Sequence, residues 1–137
     1  GIPVIVLTNQ SGVARGLFSS SDVVKVNEDL LQYFKNKGAL IDEFFYCPFH
    51  IDGHIKNYKK ESFFRKPFPG MAYEASDKYK IDLSKSLMIG DKFSDILNFS
   101  PMKSLVLKSK YTKNKENELS PIDFSDIILH LHRWIYS

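Results

Sequence analysis

Three short polar segments carry side chains suited to holding a phosphate group or a divalent cation. The first is Thr8-Asn9-Gln10-Ser11, which follows the apolar run Val4–Leu7. A hydroxyl group and neighbouring backbone amides at the end of a strand can hold phosphate oxygens. The alternative interpretation is an ordinary turn stabilised by its own Asn and Ser side chains.

The second segment is Arg65-Lys66-Pro67, followed by Pro69-Gly70 after one residue. An Arg guanidinium can grip an oxyanion through two parallel hydrogen bonds, and a Lys ammonium is a compact charge for a phosphoryl group. The two cations beside two prolines therefore suit an anion site. A solvated basic turn is the alternative.

The third segment is Gly90-Asp91-Lys92, with Asp95 three residues further on. Glycine allows the backbone to turn tightly after a strand. A carboxylate at the tip of that strand, Asp91, would offer oxygen to Mg²⁺, a hard cation. The alternatives are a helix N-cap for Asp91 and a second acidic cap or surface residue for Asp95.

The surrounding pattern predicts strands that alternate with helices, which indicates an α/β fold with a mainly parallel sheet. Ligands of such sheets bind beyond the carboxyl ends of the strands, where the three polar segments fall. We expect one domain over residues 1–137, with a surface insertion loop at 47–69 and a solvated polar loop at 108–120. The predicted strands are 4–7, 42–46, 86–89 and 104–107, and the predicted helices are 22–37, 69–80, 92–99 and 126–136.

Composition narrows the classes of function. The chain has 137 residues, of which 43% are apolar, which excludes overall disorder. A net charge of +3 is too mild to favour a nucleic-acid partner. No apolar run reaches the length of a membrane span, and one cysteine, Cys47, fits a reducing compartment. We therefore expect a cytoplasmic monomer that does not bind membranes.

Together the three segments resemble the haloacid dehalogenase (HAD) superfamily of phosphohydrolases. Thr8-Asn9 is similar to the second motif of that family, Lys66 to the third, and Gly90-Asp91 with Asp95 to the fourth. The resemblance implies a Rossmann-like sheet with helices on both faces. The longer string from Thr8 to Gly16 is similar to heptose-bisphosphate phosphatases, and the related histidinol-phosphatases are the alternative.

The resemblance implies a Mg²⁺-dependent removal of a phosphate from a heptose bisphosphate through an aspartyl-phosphate. The substrate would be a small phosphorylated sugar of the carbohydrate metabolism that supplies lipopolysaccharide or capsule. The implied catalytic residues are Thr8, Asn9 and Lys66, the substrate-binding residues are Gln10, Ser11, Arg65 and Lys92, and the metal ligand is Asp91.

The first departure from the family pattern is that the chain contains no Asp-x-Asp. In the family this motif holds the nucleophile and its general acid/base partner. We expect that the first strand of the fold is absent, together with the motif, in a missing piece of roughly 30 residues. A rearranged fold and a second chain that fills the gap are the alternatives. The chain by itself should then be inactive. A catalytically silent sugar-phosphate-binding protein is the alternative.

The second departure lies in the insertion loop. Family members often bind structural zinc there, but Phe49, Ser62 and Phe64 stand where three of the four ligands would be. Closed zinc sites need four ligands, so we expect no structural zinc. Cys47 should then be a partly buried free thiol, with Phe49, Phe63 and Phe64 holding the loop by apolar packing.

Overall fold

The computed structural model describes residues 1–113 and 120–137. Contacts divide the chain into two compact units, Gly1–Ile81 and Asp82–Ser137, and each contains one pair of parallel strands. Within the described residues, no helix is both long and apolar enough to cross a membrane.

The first unit contains strands β1 (Ile5–Asn9) and β2 (Glu43–Cys47) and helices α1 (Ser20–Asn36) and α2 (Gly70–Tyr79). The strands are parallel, in register from Ile5 opposite Glu43 to Asn9 opposite Cys47. The prediction ended the first strand at Leu7, but Thr8 and Asn9 continue it. The ladder runs further because the Gln10 N–H still donates to the Cys47 carbonyl, at 2.8 Å.

Helix α1 has the ends that its sequence predicts. A capping box begins it: Ser19 Oγ accepts a hydrogen bond from the Asp22 N–H, and the Asp22 carboxylate accepts one from the Ser19 N–H. Just past the end, Gly38 has a φ of +78°, a left-handed conformation that favours glycine. The helix therefore begins two residues before the predicted start and ends one residue before the predicted end.

Helix α2 packs on the two strands and completes the core of the first unit. The buried side chains of this core are Phe45, Cys47, Met71 and Ala75. A polar contact ties the same elements together, because Glu43 accepts hydrogen bonds from Lys78 Nζ at 2.8 Å and Tyr79 Oη at 2.6 Å. The start of β2 is thereby fixed to the last turn of α2.

Beyond Cys47, the last residue of β2, the insertion loop contains no α-helix or β-strand, yet it is anchored. The N–H groups of His54 and Ile55 both donate to the Ala14 carbonyl, at 2.6 and 2.9 Å. Gly53 lies so near that a Cβ on it would be 2.8 Å from the same oxygen. The loop is therefore fixed to the turn after β1 by a residue, Ala14, that is fully buried.

Two expectations for this loop are corrected by burial. Cys47 is fully buried rather than partly buried, because it closes β2 beneath α2. Phe49 packs against the core as expected, with its ring centroid 5.9 Å from that of Tyr58. Phe63 also packs as expected, with its ring centroid 6.0 Å from that of Tyr73 in α2, although it is 49% exposed. Phe64, in contrast, is 40% exposed and makes no ring contact with another aromatic side chain among the described residues.

The second unit contains strands β3 (Leu87–Gly90) and β4 (Lys103–Val106) and helix α3 (Ile127–Ile135). The strands are parallel and in register from Leu87 opposite Lys103. The predicted helix at 92–99 is wrong: only one 3₁₀ turn forms, Phe93–Asp95, and it stops at the extended residue Ile96.

Candidate functional site

Asn9 and Lys66 are brought together at the end of β1. Asn9 Nδ2 donates to the Lys66 carbonyl, and the Lys66 N–H donates to Asn9 Oδ1, both at 3.0 Å. These two bonds close a ring between residues 57 positions apart. The side chain at the end of the strand therefore fixes the backbone from which the Lys66 ammonium projects.

Thr8, Gln10 and Ser11 flank Asn9 in the sequence, and all three are partly buried. Gln10 Nε2 donates to Thr8 Oγ1 at 3.1 Å, which leaves the hydroxyl proton of Thr8 available to another acceptor. The Gln10 and Ser11 carbonyls accept from Val13 and Arg15, so the segment is also a hydrogen-bonded turn. The turn interpretation and the phosphate interpretation are compatible.

Arg65 is half-buried and carries charge that is only partly compensated within the described residues. Its Nη1 is fully buried and has no hydrogen bond in the described part of the protein. Burial lowers the pKa of the Arg65 guanidinium, and the positive charge of Arg15 adds to the effect. An unpaired buried donor on a charged group is costly. The arrangement therefore favours an anionic partner for Arg65.

His50 faces the same two guanidinium groups. Arg15 Nη2 lies 3.5 Å from His50 Nε2, and His50 Nδ1 accepts a hydrogen bond from the Asp52 N–H at 3.0 Å. Burial lowers the pKa of His50, and the charges of Arg65 and Arg15 lower it further, against the opposing effect of Asp52. The imidazole is therefore neutral at pH 7 and adds no positive charge beside Arg65.

In the second unit, Asp91 and Lys92 follow β3 with exposed side chains. Lys92 is the N-cap of the 3₁₀ turn, so the N-cap interpretation of Asp91 is wrong. The expectation of a surface role for Asp95 is also wrong, whereas that of an acidic cap is right. Asp95 is only 4% exposed, and its Oδ2 accepts a hydrogen bond from the Lys92 N–H at 3.1 Å.

Gly90 is required by this arrangement. A Cβ on Gly90 would lie 2.0 Å from Asp95 Oδ2 and 2.2 Å from Asp95 Cγ, closer than real contacts allow. The bare backbone at residue 90 therefore makes the space that the Asp95 carboxylate occupies. That carboxylate in turn holds the Lys92 amide and the turn that carries Asp91.

The donor chemistry of Asp91 suits Mg²⁺ as a single ligand. Mg²⁺ takes oxygen ligands, keeps several waters, and is often held by one or two carboxylates plus substrate phosphate. Across residues 1–113 and 120–137, no three His, Cys, Asp or Glu side chains form a group that could hold a metal. Asp91 therefore fits as one ligand of an ion completed by water, phosphate or other groups.

The sequence interpretation missed the segment after β4, which it assigned to a solvated loop. Thr112 is 7% exposed, and its Oγ1 accepts a hydrogen bond from the Ser109 N–H at 2.8 Å. Ser109 Oγ donates to the Asp91 carbonyl at 2.5 Å. The Ser and Thr three positions apart were the available signal, since such hydroxyls bond to nearby backbone. The rest of the predicted loop, residues 114–119, lies outside the described residues.

The chain is similar in sequence to curated heptose-bisphosphate phosphatases. The chain is 45% identical over 92 residues to D-glycero-alpha-D-manno-heptose-1,7-bisphosphate 7-phosphatase of Burkholderia mallei, covering 67% of this chain and 49% of the relative. It is 40% identical over 96 residues to the beta-anomer enzyme of Rhodopseudomonas palustris, covering 70% and 53%. The chain therefore spans about half the length of these curated relatives. No protein-family model matches it.

Two solved structures share the fold. A protein from Mesorhizobium loti described as HAD-like aligns with a TM-score of 0.79 and 30% identity, over 98% of this chain and 66% of its own. D,D-heptose 1,7-bisphosphate phosphatase from B. bronchiseptica, crystallised with magnesium and phosphate, aligns with a TM-score of 0.73 and 23% identity, over 96% and 74%. The α/β arrangement of strands and helices is thus the one that the sequence predicted.

Proposed function

We propose, on the premise that this chain has the fold of HAD-like phosphatases and is a homologue of heptose-1,7-bisphosphate 7-phosphatases, that it binds and dephosphorylates a heptose bisphosphate. The observation that carries the proposal is the pair of hydrogen bonds between Asn9 and Lys66. They fix a cationic residue at the carboxyl end of a parallel strand, where open α/β sheets bind their ligands.

In this proposal the first unit holds the phosphoryl group. Phosphoryl transfer depends mainly on positioning and on charge stabilisation. The Lys66 ammonium offsets the charge of the phosphoryl oxygens, and the Thr8 hydroxyl donates to one of them. Gln10 keeps the Thr8 oxygen oriented, while Asn9 acts on the phosphoryl group by holding Lys66. Ser11 lies in the turn that faces the substrate.

Mg²⁺ is the proposed cofactor, with Asp91 as a ligand. When bound, the ion would neutralise developing negative charge on phosphoryl oxygens. Lys92 contributes a further cation beside Asp91 for the substrate. The Asp95 carboxylate, which occupies the space beside Gly90, positions Asp91 and Lys92 through its hydrogen bond with the Lys92 amide. No structural zinc is proposed for the insertion loop.

In this proposal the nucleophile lies outside residues 1–137, because these residues contain no Asp-x-Asp. About half of each of the two curated relatives lies outside the aligned residues. We propose that an aspartate among such unaligned residues forms the aspartyl-phosphate. Residues 1–137 alone are then expected to bind phosphate without turning it over.

Arg65 is the proposed contact for the sugar or its second phosphate. Its buried Nη1 lacks an acceptor, and a phosphate oxygen would supply one. A bisphosphate thus satisfies two separate cations, Lys66 and Arg65. In this proposal the enzyme is a cytoplasmic monomer that serves lipopolysaccharide or capsule synthesis.

Phosphate release by the complete product of the encoding gene tests this function. The substrates are both anomers of heptose 1,7-bisphosphate and, for comparison, histidinol phosphate. Faster release from a heptose bisphosphate supports the proposal, and preference for histidinol phosphate supports the alternative phosphatase. Tight phosphate binding without release from any of them would favour a silent binding protein, the alternative suggested by the missing Asp-x-Asp.

A further inference from the structure

Tyr111 lies between two lysine side chains in the second unit. Lys92 Nζ is 4.2 Å from the centroid of the Tyr111 ring, and Lys110 Nζ is 5.0 Å from it. Both distances are within the range of a cation–π attraction. Lys92 and Lys110 are both exposed, so a ligand in solution can reach them.

The backbone that presents this ring is tied to the turn that carries Lys92. The Tyr111 N–H donates to Ser109 Oγ at 3.0 Å, and Ser109 Oγ donates to the Asp91 carbonyl at 2.5 Å. Thr112, which is buried, holds the other side of Ser109 by accepting from its N–H. The position of the Tyr111 ring relative to Lys92 is therefore fixed through a chain of hydrogen bonds.

The Lys92 side chain has four rotatable bonds, and an exposed lysine loses much rotamer freedom when it engages one ligand. A ring that already holds the ammonium reduces that cost, because part of the ordering is complete before the ligand arrives. The N–H donors of the ammonium that do not face the ring remain available to an anion.

We propose that Tyr111 is a positioning residue, which holds the Lys92 ammonium in the orientation that receives a phosphate group of the substrate. The inference takes its ligand, a phosphate group of the substrate, from the proposed function. The contacts of Tyr111 on which it depends involve neither the nucleophile nor a metal. Tyr111 itself does not touch the reacting atoms. Lys110, whose ammonium contacts the same ring, serves as the comparison, because its replacement removes a nearby charge but leaves the contact between Tyr111 and Lys92 in place.

The test compares three substitutions in residues 1–137, Tyr111→Leu, Tyr111→Phe and Lys110→Met, by NMR titration with inorganic phosphate. In the unsubstituted protein the Lys92 ε-methylene protons should be shifted upfield by the ring current. Tyr111→Leu should remove that shift and weaken phosphate binding at Lys92 by roughly two- to fivefold. Tyr111→Phe should keep both properties, and Lys110→Met should change the affinity less than Tyr111→Leu does.

Several results would overturn the inference. These are an unshifted Lys92 methylene, no response of Lys92 to phosphate, equal affinity for Tyr111→Leu and the unsubstituted protein, or a failure of Tyr111→Phe to restore binding. The phosphate-release assay distinguishes a failure of this inference from a failure of the proposed function. Release from heptose bisphosphate with the same KM in Tyr111→Leu would contradict the inference alone, whereas a Tyr111-dependent titration without any release would contradict the function alone.

Discussion

The carboxamide of Asn9 both donates to and accepts from the backbone of Lys66, with two hydrogen bonds of 3.0 Å. The side chain of the last residue of β1 thus bonds to the N–H and carbonyl of residue 66, as the backbone of a neighbouring strand would. The position of the Lys66 backbone is therefore set by its hydrogen bonds with strand β1 rather than by the insertion loop alone.

Asn9→Ala should therefore lower both stability and phosphate affinity. Two partly buried backbone groups of Lys66 lose their partners, which should cost about 1–3 kcal/mol in the free energy of unfolding. Urea denaturation and a phosphate titration measure the two effects. Gln32→Ala is the control, since that exposed carboxamide bonds to the exposed Asn36 of the same helix and its loss should change stability by about 0.5 kcal/mol or less. Unchanged phosphate affinity in Asn9→Ala would refute the positioning of Lys66 by Asn9.

Gly90→Ala should destabilise the protein by about 1–3 kcal/mol, because its Cβ would overlap the Asp95 carboxylate. A double-mutant cycle with Asp95→Ala, measured by urea denaturation, distinguishes this clash from strain that does not involve Asp95. The double substitution should cost less than the sum of the two single ones, since Asp95→Ala removes the carboxylate with which the new Cβ would clash. Additive costs would show that residue 90 and Asp95 do not compete for one space.

Asp91→Asn should reduce Mg²⁺-dependent phosphate release by the complete gene product by a factor on the order of a hundred. The neutral amide keeps the size of the side chain but binds a hard cation less well than a carboxylate does. EDTA should abolish release in the unsubstituted enzyme, and added Mg²⁺ should restore it. Asp52→Asn, at an exposed carboxylate of the insertion loop, is the control. Near-normal kinetics for Asp91→Asn would contradict the proposal that Asp91 is a metal ligand.

Glu43 should make stability depend on pH in the acid range. Hydrogen bonds from Lys78 and Tyr79 hold the pKa of Glu43 below its ordinary value of 4.5, so the folded state favours the ionised form. Its contribution is complete above the unfolded pKa and is lost as the pH falls through the lower, folded pKa. The hydrogen bond to Glu43 also raises the pKa of Tyr79 to about 12, so that bond persists until strongly alkaline pH.

Urea denaturation between pH 7 and pH 3 tests this prediction. Glu43→Gln should flatten the decline in the free energy of unfolding at acid pH, whereas Glu74→Gln, at an exposed position of α2, should keep it. A decline of equal steepness in Glu43→Gln and the unsubstituted protein would mean that other groups cause the acid sensitivity.

The elements that the sequence predicted well are those set by local chemistry. Helix α1 was predictable because a Ser-Asp capping box and a glycine at the end lie next to an amphipathic pattern. The parallel strands were predictable from continuous apolar runs. The helix expected at 92–99 failed because the backbone becomes extended at Ile96, directly after the turn that Asp95 caps, and apolar spacing does not report this change.

The relationships that sequence reasoning missed join residues far apart in the chain. Motif resemblance named Asn9 and Lys66, but their hydrogen bonds cross 57 positions, and no local pattern encodes them. Tyr111 was assigned to a solvated loop because its neighbours are polar and basic. Its place beside Lys92 depends on how β4 continues past β3, which only the fold determines.

Arg65 offers a prediction in which stability and function move in opposite directions. Its buried Nη1 has no acceptor in the described part of the protein, so folding desolvates a charge without compensation. Replacing such a group with an apolar side chain of similar length is often neutral or stabilising. Arg65→Met should therefore keep or raise the free energy of unfolding, and Arg133→Met, at an exposed position of α3, should leave it unchanged.

The same substitution should weaken recognition of a bisphosphate more than that of a monophosphate, because only the former offers Arg65 a second phosphate. Loss of one charge-assisted hydrogen bond should raise the KM for heptose bisphosphate by roughly tenfold or more, with a smaller change in kcat. Steady-state kinetics with the bisphosphate and the corresponding monophosphate measure this difference. A loss of stability above about 3 kcal/mol would instead identify Arg65 as a structural ion, since breaking a satisfied buried pair has that cost. Equal effects on both substrates would place the second phosphate elsewhere.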